Sequence, residues 1–130
     1  MDGITMDNVK YRVRVSYKSL RRAFQLLSGE NAGTMKTGRE NRDLLGTAYS
    51  YALNVEPDPA FPSDYDAFYE AISAPVESHS ITMPYGQSTM SFQACVESGE
   101  DTYSGKRGGI HRWTGLTVRF SHLYPQRLPE

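Results

Sequence analysis

From Val9 to Tyr17 the chain alternates without a break, with Val9, Tyr11, Val13, Val15 and Tyr17 on one side and Lys10, Arg12, Arg14, Ser16 and Lys18 on the other. A period of two is the signature of a half-buried β-strand, and here the wet side is basic. The pattern returns from Thr47 to Glu56, where Tyr49, Tyr51, Leu53 and Val55 share a face. It returns again in Ser78 to Met83, with His79, Ile81 and Met83 together, and in Thr89 to Val96, with Met90, Phe92, Ala94 and Val96 together. Pro84-Tyr85-Gly86-Gln87-Ser88 between the last two reads as the turn of a hairpin. Arg112 to Leu123 supplies a further strand through Trp113, Leu116, Val118 and Phe120, provided the chain bends near Gly115 to bring Trp113 into register. Leu20 to Leu27 fits helical spacing as well as interrupted alternation and is read as strand. Nine Tyr, five Phe and one Trp, set among 11 Gly and 7 Pro, favour pleated surfaces joined by turns over a helical bundle.

Between these strands the period changes or disappears. Pro57-Asp58-Pro59-Ala60-Phe61-Pro62 halts pairing, because proline brings no ladder donor, and Ser63 then offers a helix N-cap with Asp66 three residues on. The helix is expected to run to about Ser73, with Tyr65, Phe68, Tyr69 and Ile72 as its apolar stripe and Ala74-Pro75 as its stop. Two glycine-rich stretches without period, Ser28 to Gly46 and Ser98 to His111, read as long loops. The expected architecture is therefore mainly β: a β-sandwich or partly closed barrel of about six to eight strands with one flanking α-helix and two long loops. Residues 1–130 form a single domain, with 1–7 and 124–130 expected to be flexible termini.

Charge narrows the possible partners. Lys and Arg number 14 against 15 Asp and Glu, a net charge of −1, so the broad basic field that nucleic-acid binding requires is missing. One cysteine, Cys95, cannot form an internal disulfide or a thiolate metal site, and it reads as a small packing residue. The opening residues show neither a signal peptide nor a membrane span.

No constellation of catalytic residues emerges. Gly99 to Arg107 (GEDTYSGKR) superficially resembles a phosphate loop, but its glycine spacing is one residue too long and Arg107 stands where a magnesium-binding hydroxyl is required. His79, His111 and His122 lack metal-ligand spacing. No serine sits in a nucleophile elbow. Asp64 and Asp66 are explained by the helix start, Glu100 and Asp101 by solvation of a loop. The expectation is a protein without enzymatic activity, cofactor or metal.

Four segments in order, SLRRAFQLLSGENAG (Ser19 to Gly33), GRENRDLLGT (Gly38 to Thr47), YDAFYEAISAPVESHSITMPYGQ (Tyr65 to Gln87) and WTGLTVRF with YPQR (Trp113 to Phe120, Tyr124 to Arg127), resemble small prophage proteins from the tail-assembly clusters of Gram-positive bacteria. The resemblance spans about Val13 to Arg127. It implies a virion structural protein, made in the bacterial cytoplasm and then carried in the tail. The element order also resembles the tail-tube plan and the N-terminal domain of distal-tail proteins, in which a long loop reaches the next subunit of a ring.

Both lines agree on a non-enzymatic assembly unit, and the resemblance implies a tail or baseplate component that forms rings and contacts itself and other tail proteins. The mixed-sign loops suit protein partners. The candidate interface is Arg39, Arg42, Leu44 and Leu45 in the first loop and Lys106 and Arg107 in the second, with leucines supplying affinity and charges fixing register. The alternative is a β-sandwich ligand- or protein-binding module, with Trp113, Tyr103 and Tyr85 on an exposed surface.

Overall fold

The computed structural model describes residues 3–28, 33–34, 40–41, 44–125 and 127–128. Its strands are β1 (Ile4–Met6), β2 (Val9–Tyr11), β3 (Val13–Val15), β4 (Arg21–Ser28), β5 (Gly33–Thr34), β6 (Glu40–Asn41), β7 (Leu44–Pro57), β8 (His79–Tyr85), β9 (Ser88–Arg107) and β10 (Ile110–His122), and the helix α1 (Pro62–Ser73) lies between β7 and β8. Eight of these strands form one antiparallel sheet in the order β2-β1-β8-β9-β10-β7-β3, with β4 also on β7, while β5 and β6 pair separately. The protein is mainly β with one flanking helix, as its periodicity requires. The sheet is not closed into a barrel. Its two end strands, β2 and β3, are nevertheless consecutive in the chain and separated only by Arg12. The segment read as one strand from Val9 to Tyr17 is thus split. It leaves β1 and joins β7 by bending at Arg12, in the way strands turn corners in coiled sheets. Tyr17 falls in the turn that follows and is exposed.

One face of this sheet holds the core: Ile4, Met6, Val13, Tyr51, Leu53, Val55, Ile81, Met83, Leu116, Val118 and Phe120, joined by Tyr65, Phe68 and Ile72 from α1. Phe68 meets Tyr11 edge-on, with ring centroids 5.5 Å apart. α1 packs beside β9 at Gly99, where even an added Cβ would meet the Ile72 Cδ1 only at ordinary van der Waals distance, 3.6 Å. Three two-residue turns join neighbouring strands. Asp7-Asn8 and Gly108-Gly109 both have positive φ at each residue, the condition for a turn whose twist matches the flanking strands, and Gly86-Gln87 closes the third.

Several expectations are corrected. Residues 1–7 are not a flexible terminus throughout, because Ile4 and Met6 are fully buried in β1, between β2 and β8. Ser98 to His111 is not a loop; it is the end of β9, the Gly108-Gly109 turn and the start of β10. Its glycines and charges reflect a ribbon wet on both faces, which has no reason to alternate. Ser63 is not the N-cap: Phe61 holds that position without a side-chain cap, and Pro62, at the first helical position, needs no donor. At the other end of the chain, Arg127 forms an isolated bridge with Thr47, so this part of the tail is held to β7. Of Ser28 to Gly46, Ser28 ends β4, Leu44 to Gly46 begin β7, and four residues form β5 and β6; the rest lies outside the described residues.

Candidate functional site

Two β-ribbons extend beyond the shared sheet. In the first, β4 pairs with β7 from Arg21 opposite Ala52 to Ser28 opposite Leu44, whereas β10 pairs with β7 only between Tyr51 and Val55. In the second, Thr102 to Arg107 of β9 pair with Ile110 to Thr114 of β10 and with no other described strand. The ribbons leave from opposite ends of β7, since Tyr49 belongs to the first and Glu56 borders the second. Seven residues of strand separate those positions by roughly 23 Å.

The second ribbon and α1 bound an acidic, aromatic groove of about 440 Å³ lined by Tyr65, Asp66, Tyr69, Glu70, Asp101 and Trp113. Trp113 packs against Tyr103 at 4.9 Å between centroids, and the Tyr103 hydroxyl lies 2.9 Å from His111 Nδ1. Tyr65 donates to Asp101 at 2.7 Å. Burial first, and then this bond to a carboxylate, push the Tyr65 pKa far above the ordinary phenol value, so the hydroxyl keeps its proton and acts as a donor. At the base of the ribbon Glu56 accepts from the Thr114 hydroxyl at 2.7 Å and the Gly115 amide at 2.9 Å, fixing the bend expected at Gly115. Asp64 is occupied too: it accepts from the Arg12 amide at 2.8 Å and from the Arg12 guanidinium at 2.9 and 3.2 Å. The same guanidinium lies 3.7 Å from the centre of the Phe61 ring.

The first ribbon carries the opposite character. Arg22, Phe24, Leu26, Thr47, Tyr49, Tyr85 and Arg127 line a cavity of about 510 Å³. The hydroxyls of Tyr49 and Tyr85 are 3.1 Å apart, and the Arg22 guanidinium sits 5.4 Å from the centre of the Tyr85 ring. The hydrogen bond from Tyr85 holds the Tyr49 pKa below its usual value; burial opposes this, and the nearby Arg127 and Arg22 reinforce it. The same bond raises the Tyr85 pKa, so of the two hydroxyls Tyr49 gives up its proton first. Phe24 is 70% exposed although it lies on the side of the sheet that continues the core face of β7.

The residues expected to form one interface are not gathered in one place. Leu45 is 50% exposed on the first ribbon, while Lys106 and Arg107 are exposed at the tip of the second. Arg39 and Arg42 lie outside the described residues, as does the Leu44 side chain. Of the three aromatics expected on a ligand surface, Trp113 and Tyr103 stand together, whereas Tyr85, at the end of β8, lines the cavity beside the other ribbon. Sequence reasoning missed Arg22, Phe24 and Arg127 as a group, although the alternation of Leu20, Arg22, Phe24 and Leu26 was the available signal. It also assigned Asp66 and Asp101 to capping and solvation, where they flank Trp113. Cys95 is a half-buried free thiol on β9. Among the described residues no group of three or more His, Cys, Asp or Glu is placed to hold a metal ion, and no helix is long and apolar enough to cross a membrane.

Comparison with protein-family models and with curated protein sequences finds no match for the chain.

Proposed function

We propose that the protein is a structural subunit of a tailed phage or prophage, a tail or baseplate component that joins copies of itself and neighbouring tail proteins. The observation that carries this reading is the pair of ribbons leaving opposite ends of one small sheet. Each exposes apolar side chains, Phe24, Leu26 and Leu45 on one and Tyr103, Ile110 and Trp113 on the other. Long exposed strand edges with apolar side chains invite pairing, and a protein with no partner is expected to blunt them. The acidic groove beside the second ribbon, with Asp66, Glu70 and Asp101, and the arginines Arg21 and Arg22 of the first support head-to-tail contacts, the type of contact that closes into rings. Two measurements test the proposal: the mass of the purified protein across a concentration series, and the protein content of particles released from the producing cells. Ring-sized species or presence in tails is the expected result. A monomer at all concentrations, absent from particles, overturns it.

A second reading, a ligand-binding module, is favoured by the groove at Trp113, where aromatic faces meet Asp66, Glu70 and Asp101. This surface suits a cationic ligand, through ring faces and carboxylates together. Trp113 is the only tryptophan, so its fluorescence reports occupancy directly. Saturable quenching by a lysine-rich peptide, with the protein remaining monomeric, selects this reading over assembly.

A further inference from the structure

We propose that the outer edge of β4 takes up an extended segment of another protein chain, one whose side chains alternate between acidic and apolar, as an additional strand. The site shares the first ribbon with the proposed contact between copies, so binding is read on protein whose mass in solution shows it to be monomeric, and loss of assembly and loss of peptide binding are scored separately. Three observations converge on it.

The first is the backbone. Among the described residues β4 pairs only with β7, so one whole side of the strand presents unpaired amides and carbonyls. Its register is regular from Arg21 to Leu27, and it contains no proline or interior bulge to spoil a second partner. An added strand satisfies this row of groups, which a polynucleotide or a small anion cannot do.

The second is charge. Arg21 and Arg22 are both exposed, and neither has a carboxylate partner among the described residues. Because successive side chains point to opposite faces, these two arginines place positive charge on both sides of the edge. Arg22 shares its side with Arg127 and the Tyr49–Tyr85 hydroxyl pair, while Arg21 shares the other with Arg119. A carboxylate on the incoming strand meets a cation whichever face it takes, at the 4.5–5.5 Å spacing of directly opposed side chains.

The third is the apolar surface beside those charges. Phe24 and Leu26 follow Arg22 on the same side and are exposed at 70% and 41%. They extend the core face past the point where the sheet covers it. Apolar residues alternating with the carboxylates of an added strand would remove this surface from water. A lysine-bearing segment meets an arginine on whichever face its lysines take, so the edge selects by repulsion as well as attraction.

The test uses the whole protein and a labelled hexapeptide of alternating glutamate and valine with blocked termini, titrated by fluorescence anisotropy at low salt. Three comparison probes are the lysine–valine peptide, the glutamate–valine peptide N-methylated at every second residue, and the Arg21→Glu/Arg22→Glu protein, with circular dichroism confirming that the variant is folded. The glutamate peptide is expected to bind at least tenfold more tightly than the lysine peptide. N-methylation of the edge-facing amides and the double charge reversal should each weaken binding by at least tenfold, and amide exchange of β4 should slow in the complex. Phe24→Ser, a milder surface change, should weaken binding severalfold without altering the preference for glutamate. Equal binding of the lysine peptide, full binding of the peptide N-methylated on its edge-facing amides, or no binding of the glutamate peptide at millimolar concentration overturns the proposal. Equal binding of the N-methylated peptide would reduce the site to an anion pocket at Arg22.

Discussion

Truncating Phe68 to alanine removes the side chain by which α1 enters the sheet, and its cost follows from its surroundings. Phe68 is fully buried, with Tyr65 and Ile72 beside it on the helix and the Tyr11 ring edge-on at 5.5 Å. Burying and packing a phenylalanine of this kind is worth about 3–5 kcal/mol, of which the aromatic pair accounts for roughly 0.5–1.5 kcal/mol. Phe68→Ala should therefore cost about 4 kcal/mol, a large part of the ~5–15 kcal/mol that holds a domain of this size. At about 4 °C per kcal/mol, the melting temperature should fall by roughly 15 °C. Urea denaturation followed by both circular dichroism and Trp113 fluorescence supplies the measurement, with Tyr69→Ala as the control on the same helix. Tyr69 is 37% exposed, so its truncation should cost only about 1–2 kcal/mol. A Phe68→Ala cost no greater than that of Tyr69→Ala would mean that α1 is not docked, and the groove between it and Trp113 would lose one of its walls.

Two glycines separate crowding from backbone strain. Gly46→Ala places a Cβ 2.5 Å from the Arg127 carbonyl oxygen at φ +146, so it should cost roughly 2 kcal/mol and free the tail from Thr47, seen as faster exchange of the Arg127 amide. Gly115→Ala meets open space at φ +68, so only the backbone resists, at about 1 kcal/mol in the same denaturation assay; a larger loss would show that the bend is crowded. On the acid side, burial raises the Asp7 pKa, but hydrogen bonds with His79 and the Ser80 amide outweigh it, and bonds from Arg12 lower that of Asp64; both carboxyls end below their ordinary 3.8. Their stabilisation is complete above about pH 4 and is lost as pH falls through the lower folded values, so Asp7→Asn should flatten the acid limb of a stability–pH curve; an unchanged limb refutes the assignment. Hydrogen exchange in isolated protein should be faster from Thr102 to Arg107 than from Tyr51 to Val55, because the former pair on one side only.

The legible parts of the fold were those in which one face is dry and the other wet. Tyr51, Leu53 and Val55, and again His79, Ile81 and Met83, alternate because every second side chain enters the core. The helix was legible from the spacing of Tyr65, Phe68 and Ile72, but its start was not: the serine signal at Ser63 lost to Pro62, and Asp64 was taken up by Arg12, 52 residues away. β1 is too short for any period to show, and it is defined by Thr82 and Ile81 on a strand far along the chain. The second ribbon is wet on both faces and therefore carried no pattern. For the same reason the candidate surfaces were only half legible. Trp113 and Tyr103 stood out as aromatics, but Phe24 alternated like a core residue and turned out to face solvent.

The pairing of β1 with β8 sets a clock on synthesis. Thr5 lies opposite Thr82, and Asp7 reaches His79 and Ser80, so β1 has no β8 to join until Thr82 has been made. At about 5–20 residues per second the interval between the two is roughly 4–15 s. Throughout it Ile4 and Met6, destined to be fully buried, have only the short Asp7-Asn8 hairpin with β2 to shelter in. The nascent segment around Ile4 and Met6 thus stays sticky for seconds, and chaperone capture or premature contact between neighbouring chains on one messenger falls within that window.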